Sequence, residues 1–380
     1  MSNAEALVEE LGLTDDGLRM AMLSVPREVF VPNVGLASPA RGSSYLINRH
    51  IRPEEWQRAV FSDAAVITQW DDEQTNPEQV DLRQATASSS ISAPGVASNF
   101  LTLLAPRDHD RILEIGTGTG YTAALLSERV GEHQVTSLEV DPAVAEQAKT
   151  ALKRAGYSPQ LAVGNGADGW LDGAPYDRVH ATVAVRRIPG SWLTQTRPGG
   201  IIVAPWQPGH DWGWMVRLTV AGDVAHGRFH GRSGYMMLRE QRAQMRFRPH
   251  HEDEAVSTTT KLDPRSVVNA GEGGELVITA LVPDVKLIPI RCTDGTVSVS
   301  LYEIGSPQGA WAVCDYEPGN NEFDVTQYGQ RCLWDEVESA FLYWLRLGNP
   351  GPDRFGLTVT AEGDHRLWVD EPSRALMRGP

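Results

Sequence analysis

The residues best suited to chemistry lie in "LEIGTGTGYTAALL", residues 113–126, where Gly116, Gly118 and Gly120 alternate with Thr117 and Thr119. Glycines at this spacing let a ligand approach the main chain without meeting a Cβ. The apolar run before them reads as a strand and the run after as a helix, which places the ligand at the carboxyl edge of a sheet. Dinucleotide sites prefer G-x-G-x-x-G. Here the pattern is G-x-G-x-G, and Tyr121 stands where the third glycine of the longer pattern would be. The G-x-x-x-x-G-K loop of triphosphate sites is missing. Glu114 would repel a pyrophosphate but attract the amino-acid part and sulfonium of S-adenosylmethionine. Glu139 ends the next strand, 19 residues after Gly120, where a carboxylate can accept both ribose hydroxyls. "GNGADG" at 164–169 brings Gly164, Asn165, Gly166 and Asp168 to the adenine end. Taken alone, the loop could equally be a tight turn with surface acids. Four features in the right order favour the cofactor site, made of Glu114, Gly116, Thr117, Gly118, Gly120, Tyr121, Glu139, Gly164, Asn165 and Gly166.

Elements must hold these groups. Helices are expected over 15–30 and 95–104, the second started by Pro94. "RILEI", "QVTSLEV", "QLAVG", "YDRVHATVAV" and "GGIIVAPW" read as strands, with helices at "YTAALLSERV" and "PAVAEQAKTALKRA". Asp141 is the N-cap of the second of these, Pro142 its first turn and Gly156 its end. Strands alternating with helices mean parallel βαβ units, an α/β fold with a doubly wound sheet. "WGWMVRLTV", "AHGRFHG" and "YMMLRE" read as antiparallel strands closing it. Further on, "ELVITALV", "KLIPI", "TVSVSLYE", "GAWAVCDY", "FGLTVT" and "RLWVD" read as strands and "WDEVESAFLYWLRLG" as a helix, an α+β module.

The chain has 380 residues, which predicts two domains. A boundary at 245/246 is expected, where "RFRPHHEDEAVSTTT" interrupts the apolar pattern, giving domains 1–245 and 246–380. From Arg246 onward there are 12 basic and 21 acidic residues. The overall charge of −15 argues against nucleic acid, whose phosphates would be repelled. No run approaches a membrane span and no signal segment begins the chain. Cys292, Cys314 and Cys332 are far apart, as expected of buried thiols in a reducing, cytoplasmic setting. "HHEDE" at 250–254 reads as a solvated linker rather than a metal cluster, and no metal is expected.

The chain resembles the protein-L-isoaspartate O-methyltransferase family. The pieces that carry the likeness are "LGLTDDGLRMAMLSVPREVFVP", "VFSDAA", "SISAPGVAS", "RILEIGTGTGYTAALLS", "YDRVHATVA" and "RPGGIIVAPW", over about residues 8–240. The resemblance implies a Rossmann-like methyltransferase sheet, S-adenosylmethionine as cofactor and S-adenosylhomocysteine as product. It also implies Ser92 at the methyl-transfer site, with Ser90 in place of a neighbouring threonine. Asp63, His180 and Thr182, which lie in matching pieces, and Ser89, just before one of them, are candidate substrate contacts, although His180 also reads as a packed strand residue. Three departures concern substrate: about twenty extra residues before "SSSISAP" (the insert at 68–87), "HATVAVRRIP" with Arg186 and Arg187 at the sheet edge, and the tail of about 135 residues. They resemble the actinobacterial homologues that modify ribosomally made peptides such as graspetides, lanthipeptides and lasso peptides.

A carboxylate attacking the sulfonium methyl is already ionised at neutral pH, its pKa being about 4. No general base is needed, which fits the lack of a Ser-His-Asp set. Ser92 would hold one carboxylate oxygen, the alternative being a helix cap before Pro94. Arg186 could clamp the substrate, or be an ordinary loop arginine. The expected partner is a precursor peptide whose aspartate is esterified and then closes to an aspartimide, within a monomeric enzyme with a substrate-recognition tail. The alternatives are isoaspartyl repair, a non-catalytic cofactor sensor, and a nicotinamide dehydrogenase.

Overall fold

The computed structural model describes residues 2–73, 78–81, 85–209, 213–242, 252–305 and 309–376. The helices are α1 (Asn3–Glu10), α2 (Asp16–Ser24), α3 (Pro53–Val60), α4 (Pro94–Leu104), α5 (Tyr121–Val130), α6 (Pro142–Ala155), α7 (Gly190–Thr194), α8 (Pro264–Val268), α9 (Gly271–Leu281) and α10 (Leu333–Arg346). The N-terminal strands are β1 (Val34–Pro39), β2 (Tyr45–Asn48), β3 (Ala64–Trp70) and β4 (Ala87–Ile91). The main sheet takes β5 (Ile112–Ile115), β6 (Val135–Glu139), β7 (Gln160–Val163), β8 (Tyr176–Ala181), β9 (Thr196–Trp206), β10 (Gly213–Ala221) and β11 (Val224–Ser233). The tail holds β12 (Val256–Thr260), β13 (Val285–Arg291), β14 (Val297–Glu303), β15 (Trp311–Tyr316), β16 (Phe323–Tyr328), β17 (Phe355–Thr360) and β18 (His365–Val369).

The main sheet runs β18-β17-β11-β10-β9-β8-β5-β6-β7. Its centre is parallel: β5 pairs with β6 and β8, β6 with β7, and β8 with β9. The chain steps outward one way from β5 to β7, then returns to the other side of β5 with β8. That reversal is the switch point where open α/β sheets bind ligands. The doubly wound sheet expected from the sequence is therefore present. Helix α6 forms as expected, with Asp141 Oδ1 accepting from Ala143 N at 2.9 Å and Gly156 ending it in the left-handed region at φ 91°. A second sheet, β2-β1-β3-β4, is wholly antiparallel.

The tail is α+β, with a five-stranded antiparallel sheet ordered β12-β16-β15-β14-β13. Its packing does not break at 246. One cluster of buried side chains runs from Leu113, Val179 and Ile202 through Val267 and Leu276 to Val299 and Trp334. Strand β17 pairs with β11, so residues 355–369 complete the first sheet instead of a separate domain. The linker at 246–251, with part of "HHEDE", lies outside the described residues.

Three expectations need correction. "ELVITALV" lies mostly within helix α9, ending just past it, and is not a strand. Its Leu276, Val277, Ile278 and Thr279 are all buried, and a buried apolar run of this length does not reveal its own period. "YMMLRE" makes only a single bridge, Ala184 to Met237, just past the end of β8 at Ala181, and is not a strand of the sheet. Cys292 and Cys332 are exposed, and only Cys314 is buried. Among the described residues no helix is long and apolar enough to cross a membrane, and no acid, His or Cys group could hold a metal.

Candidate active site

A cleft of about 820 Å³, counting its open mouth, sits over the switch point. The β5–α5 loop forms its floor. Gly116 and Gly118 have φ of 96° and 54°, the left-handed region that favours glycine. A Cβ on Gly116 would lie 2.6 Å from Thr182 Oγ1, and one on Gly118 would lie 3.0 Å from the Ser90 carbonyl oxygen. Both glycines therefore keep the loop pressed between β4 and β8 while leaving the main chain bare.

Glu139 ends β6 at the same floor, 9% exposed. Its carboxylate accepts from Gly118 N at 2.9 Å, Val140 N at 2.9 Å and Asp141 N at 3.1 Å. Burial nevertheless raises its pKa, partly offset by those three N–H donors. Ser89, Ser90 and Ser92 line one wall, with Thr117, Tyr121, Gly166 and Thr182 around them.

Ala93, not Ser92, is the N-cap of α4, and it makes no side-chain capping bond. The Gly95 N–H is met instead by Asp63 Oδ1 at 2.7 Å. Asp63 is thus the support of the serine loop rather than a wall of the cleft, while Ser92 is left facing it.

Other expected ligand contacts fall elsewhere. Glu114 is completely buried under the loop, where Ser137 Oγ donates to its Oε2 at 2.5 Å and pairs with Thr117 Oγ1 at 2.7 Å. Burial pushes Glu114 up to about 8, so it is largely protonated at neutral pH and carries little charge to offer a sulfonium. Gly120 serves packing, since a Cβ there would meet Leu152 at 3.1 Å. Gly164 lies outside the cleft lining. Asn165 is used by its own turn, accepting from Ala167 N at 3.1 Å and donating to Glu240. Asp168 is exposed. His180 is fully buried in β8 beside Phe100, with both ring nitrogens unpartnered, and burial holds it neutral with a pKa of about 4. It touches no ligand space. Arg186 is turned toward the tail, pairing with Asp284 at 2.9 Å, and so is not a clamp in the cleft.

The wall opposite the serines was not foreseen. Tyr235, Met236, Met237, Leu238, Arg239 and Arg242 close the cleft, with the Tyr235 phenol lining the same space as Ser92. Burial raises that phenol well above its ordinary range. The only signal in the sequence was the pair of methionines between a tyrosine and two arginines, an adaptable apolar run that also reads as a strand.

Residues 53–221 match the profile of the family described as protein-L-isoaspartate(D-aspartate) O-methyltransferase. The protein-L-isoaspartate O-methyltransferase of Ignicoccus hospitalis is 32% identical over 208 residues, covering 54% of this chain and 81% of that protein. This chain belongs to the protein-L-isoaspartate O-methyltransferase family. The family enzyme of Opitutus terrae is 29% identical over 227 residues, covering 58% of this chain and 80% of its own. A solved structure titled protein-L-isoaspartate O-methyltransferase aligns at TM-score 0.53 and 20% identity over 97% of this chain and 100% of its own. The fold likeness therefore includes the tail, so an extension of this kind is not peculiar to this chain.

Proposed function

We propose that the protein transfers a methyl group from S-adenosylmethionine to a side-chain or isoaspartyl carboxylate of a peptide. The observation that carries this reading is Ser92: it is freed from capping and lines the cleft together with Tyr235. The cofactor fits the residues present. Gly116 and Gly118 leave bare main chain where a Cβ would clash, and Glu139 offers a carboxylate to ribose hydroxyls. Thr117, held from below by Ser137 and Glu114, and Gly166 complete the cradle. When bound, S-adenosylmethionine supplies an electrophilic methyl on a sulfonium. The chain's own task is to hold the acceptor carboxylate and exclude water. The Ser92 and Tyr235 hydroxyls can each donate a hydrogen bond to one carboxylate oxygen, with Ser90 beside them. Met236 and Met237 supply an apolar lining that adapts to a peptide.

For the substrate, this reading takes an ordinary aspartate in a ring-constrained, ribosomally made peptide. Its ester then closes intramolecularly to an aspartimide, which opens to aspartate or isoaspartate. The support is local: the described residues 68–73 and 85–87 of the insert continue β3 and lead into β4, and carry Asp72 to Arg242 in the cleft lining. Repair of isoaspartyl proteins is the second reading, favoured by the names of the relatives at 32% and 29% identity. Incubation with methyl-labelled cofactor and two acceptors separates them. A cyclic aspartyl peptide that gains one methyl and then loses methanol by mass supports the first. Label entering only a linear isoaspartyl peptide sinks it in favour of repair.

A further inference from the structure

The cleft has two walls, strand β4 and the segment 235–242. At one end Tyr235 and Ser92 line the same space. At the other, Asp72 bridges them. Its N–H donates to Ser88 Oγ at 3.1 Å, and its carboxylate accepts from Arg242 Nη1 at 2.7 and 2.8 Å. Arg239 Nη2 lies 3.0 Å from the same carboxylate and 3.5 Å from Asp141 Oδ2. Gln69 Nε2 donates to that Asp141 oxygen at 3.0 Å and its Oε1 accepts from Ser88 Oγ at 2.8 Å. Asp141 follows Glu139 by two residues, so this junction lies over the end of the cleft that would hold the ribose.

The bridge is built in advance. Asp71 and Asp72 have φ of 52° and 60°, a left-handed pair that aspartate tolerates better than most residues. Asp71 N donates to the Thr86 carbonyl at 2.8 Å, and Thr86 N donates to Asp71 Oδ1 at 2.8 Å, which fixes the turn. Asp72 therefore arrives at the arginines without further ordering. Arg239 Nε is buried without a partner, a donor left over for a ligand.

We infer that Asp72, Arg239 and Arg242 are an ionic clasp over the nucleoside end of the cleft, and that opening it sets the rate at which spent cofactor leaves. The inference rests on the cofactor reading above. The pairs are a quarter to a third exposed, so each is weak and screened by salt, and the clasp opens on its own. Tight closure with ready release is what a site needs that must shed one nucleoside per turnover.

The test is stopped-flow displacement of S-adenosylhomocysteine from the full-length protein, read by intrinsic tryptophan fluorescence. Asp72→Asn is expected to raise the dissociation rate about tenfold with little change in association. Raising NaCl from about 0.05 to about 0.5 M should speed release from the wild type and not from the variant. Arg242→Gln, which leaves the hairpin turn and the Arg239–Asp72 pair intact, should reproduce part of the Asp72→Asn effect. Dissociation unchanged in Asp72→Asn and Arg242→Gln overturns the clasp. A wild type that does not bind S-adenosylhomocysteine overturns the cofactor reading instead.

Discussion

Two buried groups side by side on β5 and β8 make opposite demands on pH. Glu114 and His180 are register partners, and neither finds a full set of hydrogen bonds. Burial raises Glu114 from 4.5 to about 8 and lowers His180 from 6.5 to about 4. Between about 4.5 and 6.5 the native state holds one extra proton at Glu114 and lacks one at His180, so the two slopes cancel. From about 6.5 to 8 the Glu114 contribution stands alone, and native stability falls by about 1.4 kcal/mol per pH unit. Urea unfolding of wild type and Glu114→Gln at both pH values checks this. An equal slope in the two proteins would show that Glu114 is ionised in the native state. At Ser92 the expected change is kinetic: Ser92→Ala lowers kcat on the order of 10- to 100-fold. Calorimetry should give the same cofactor affinity for both. A matching loss of affinity would mean that Ser92 supports the nucleoside and not the acceptor.

The β5–α5 loop is the element on which the cleft depends. Gly118→Val places a branched side chain at φ 54° and 3.0 Å from the Ser90 carbonyl. The backbone strain alone costs about 1–2 kcal/mol. Cofactor affinity is expected to fall more than tenfold and the melting temperature by several degrees, measured by calorimetry and thermal unfolding. Wild-type affinity in that variant would mean the loop has room that the geometry denies. This loop was legible from sequence because its glycine spacing stood in order with Glu139 and the "GNG" turn, each at the carboxyl end of an expected strand. Helix α6 was legible through Asp141, Pro142 and Gly156. The β1–β4 sheet was not. Its strand β4, "ASSSI", has no apolar alternation, and it is ordered by pairing with β3. Contacts that depend on which way a side chain turns, such as Asp63 toward Gly95 or Arg186 toward Asp284, are set by packing at long range and leave no local trace.

For the whole molecule, the tail is bound to the methyltransferase sheet by polar ties as well as by a shared core. Arg186→Ala is expected to cost about 1 kcal/mol of stability, and a cycle with Asp284→Ala should recover most of that as coupling. The KM for the peptide should not change; a several-fold rise would return Arg186 to the substrate. The ladder between β11 and β17 has a further effect on how the protein is made. His226 Nδ1 meets Thr358 Oγ1 at 2.8 Å, 132 positions along the chain. During synthesis, β11 leaves the ribosome well before its neighbour exists and must wait with one row of amides and carbonyls bare. A nascent chain stalled in that interval offers a sticky border to its siblings on the same message. Slower translation through the tail is therefore expected to lower the yield of folded protein.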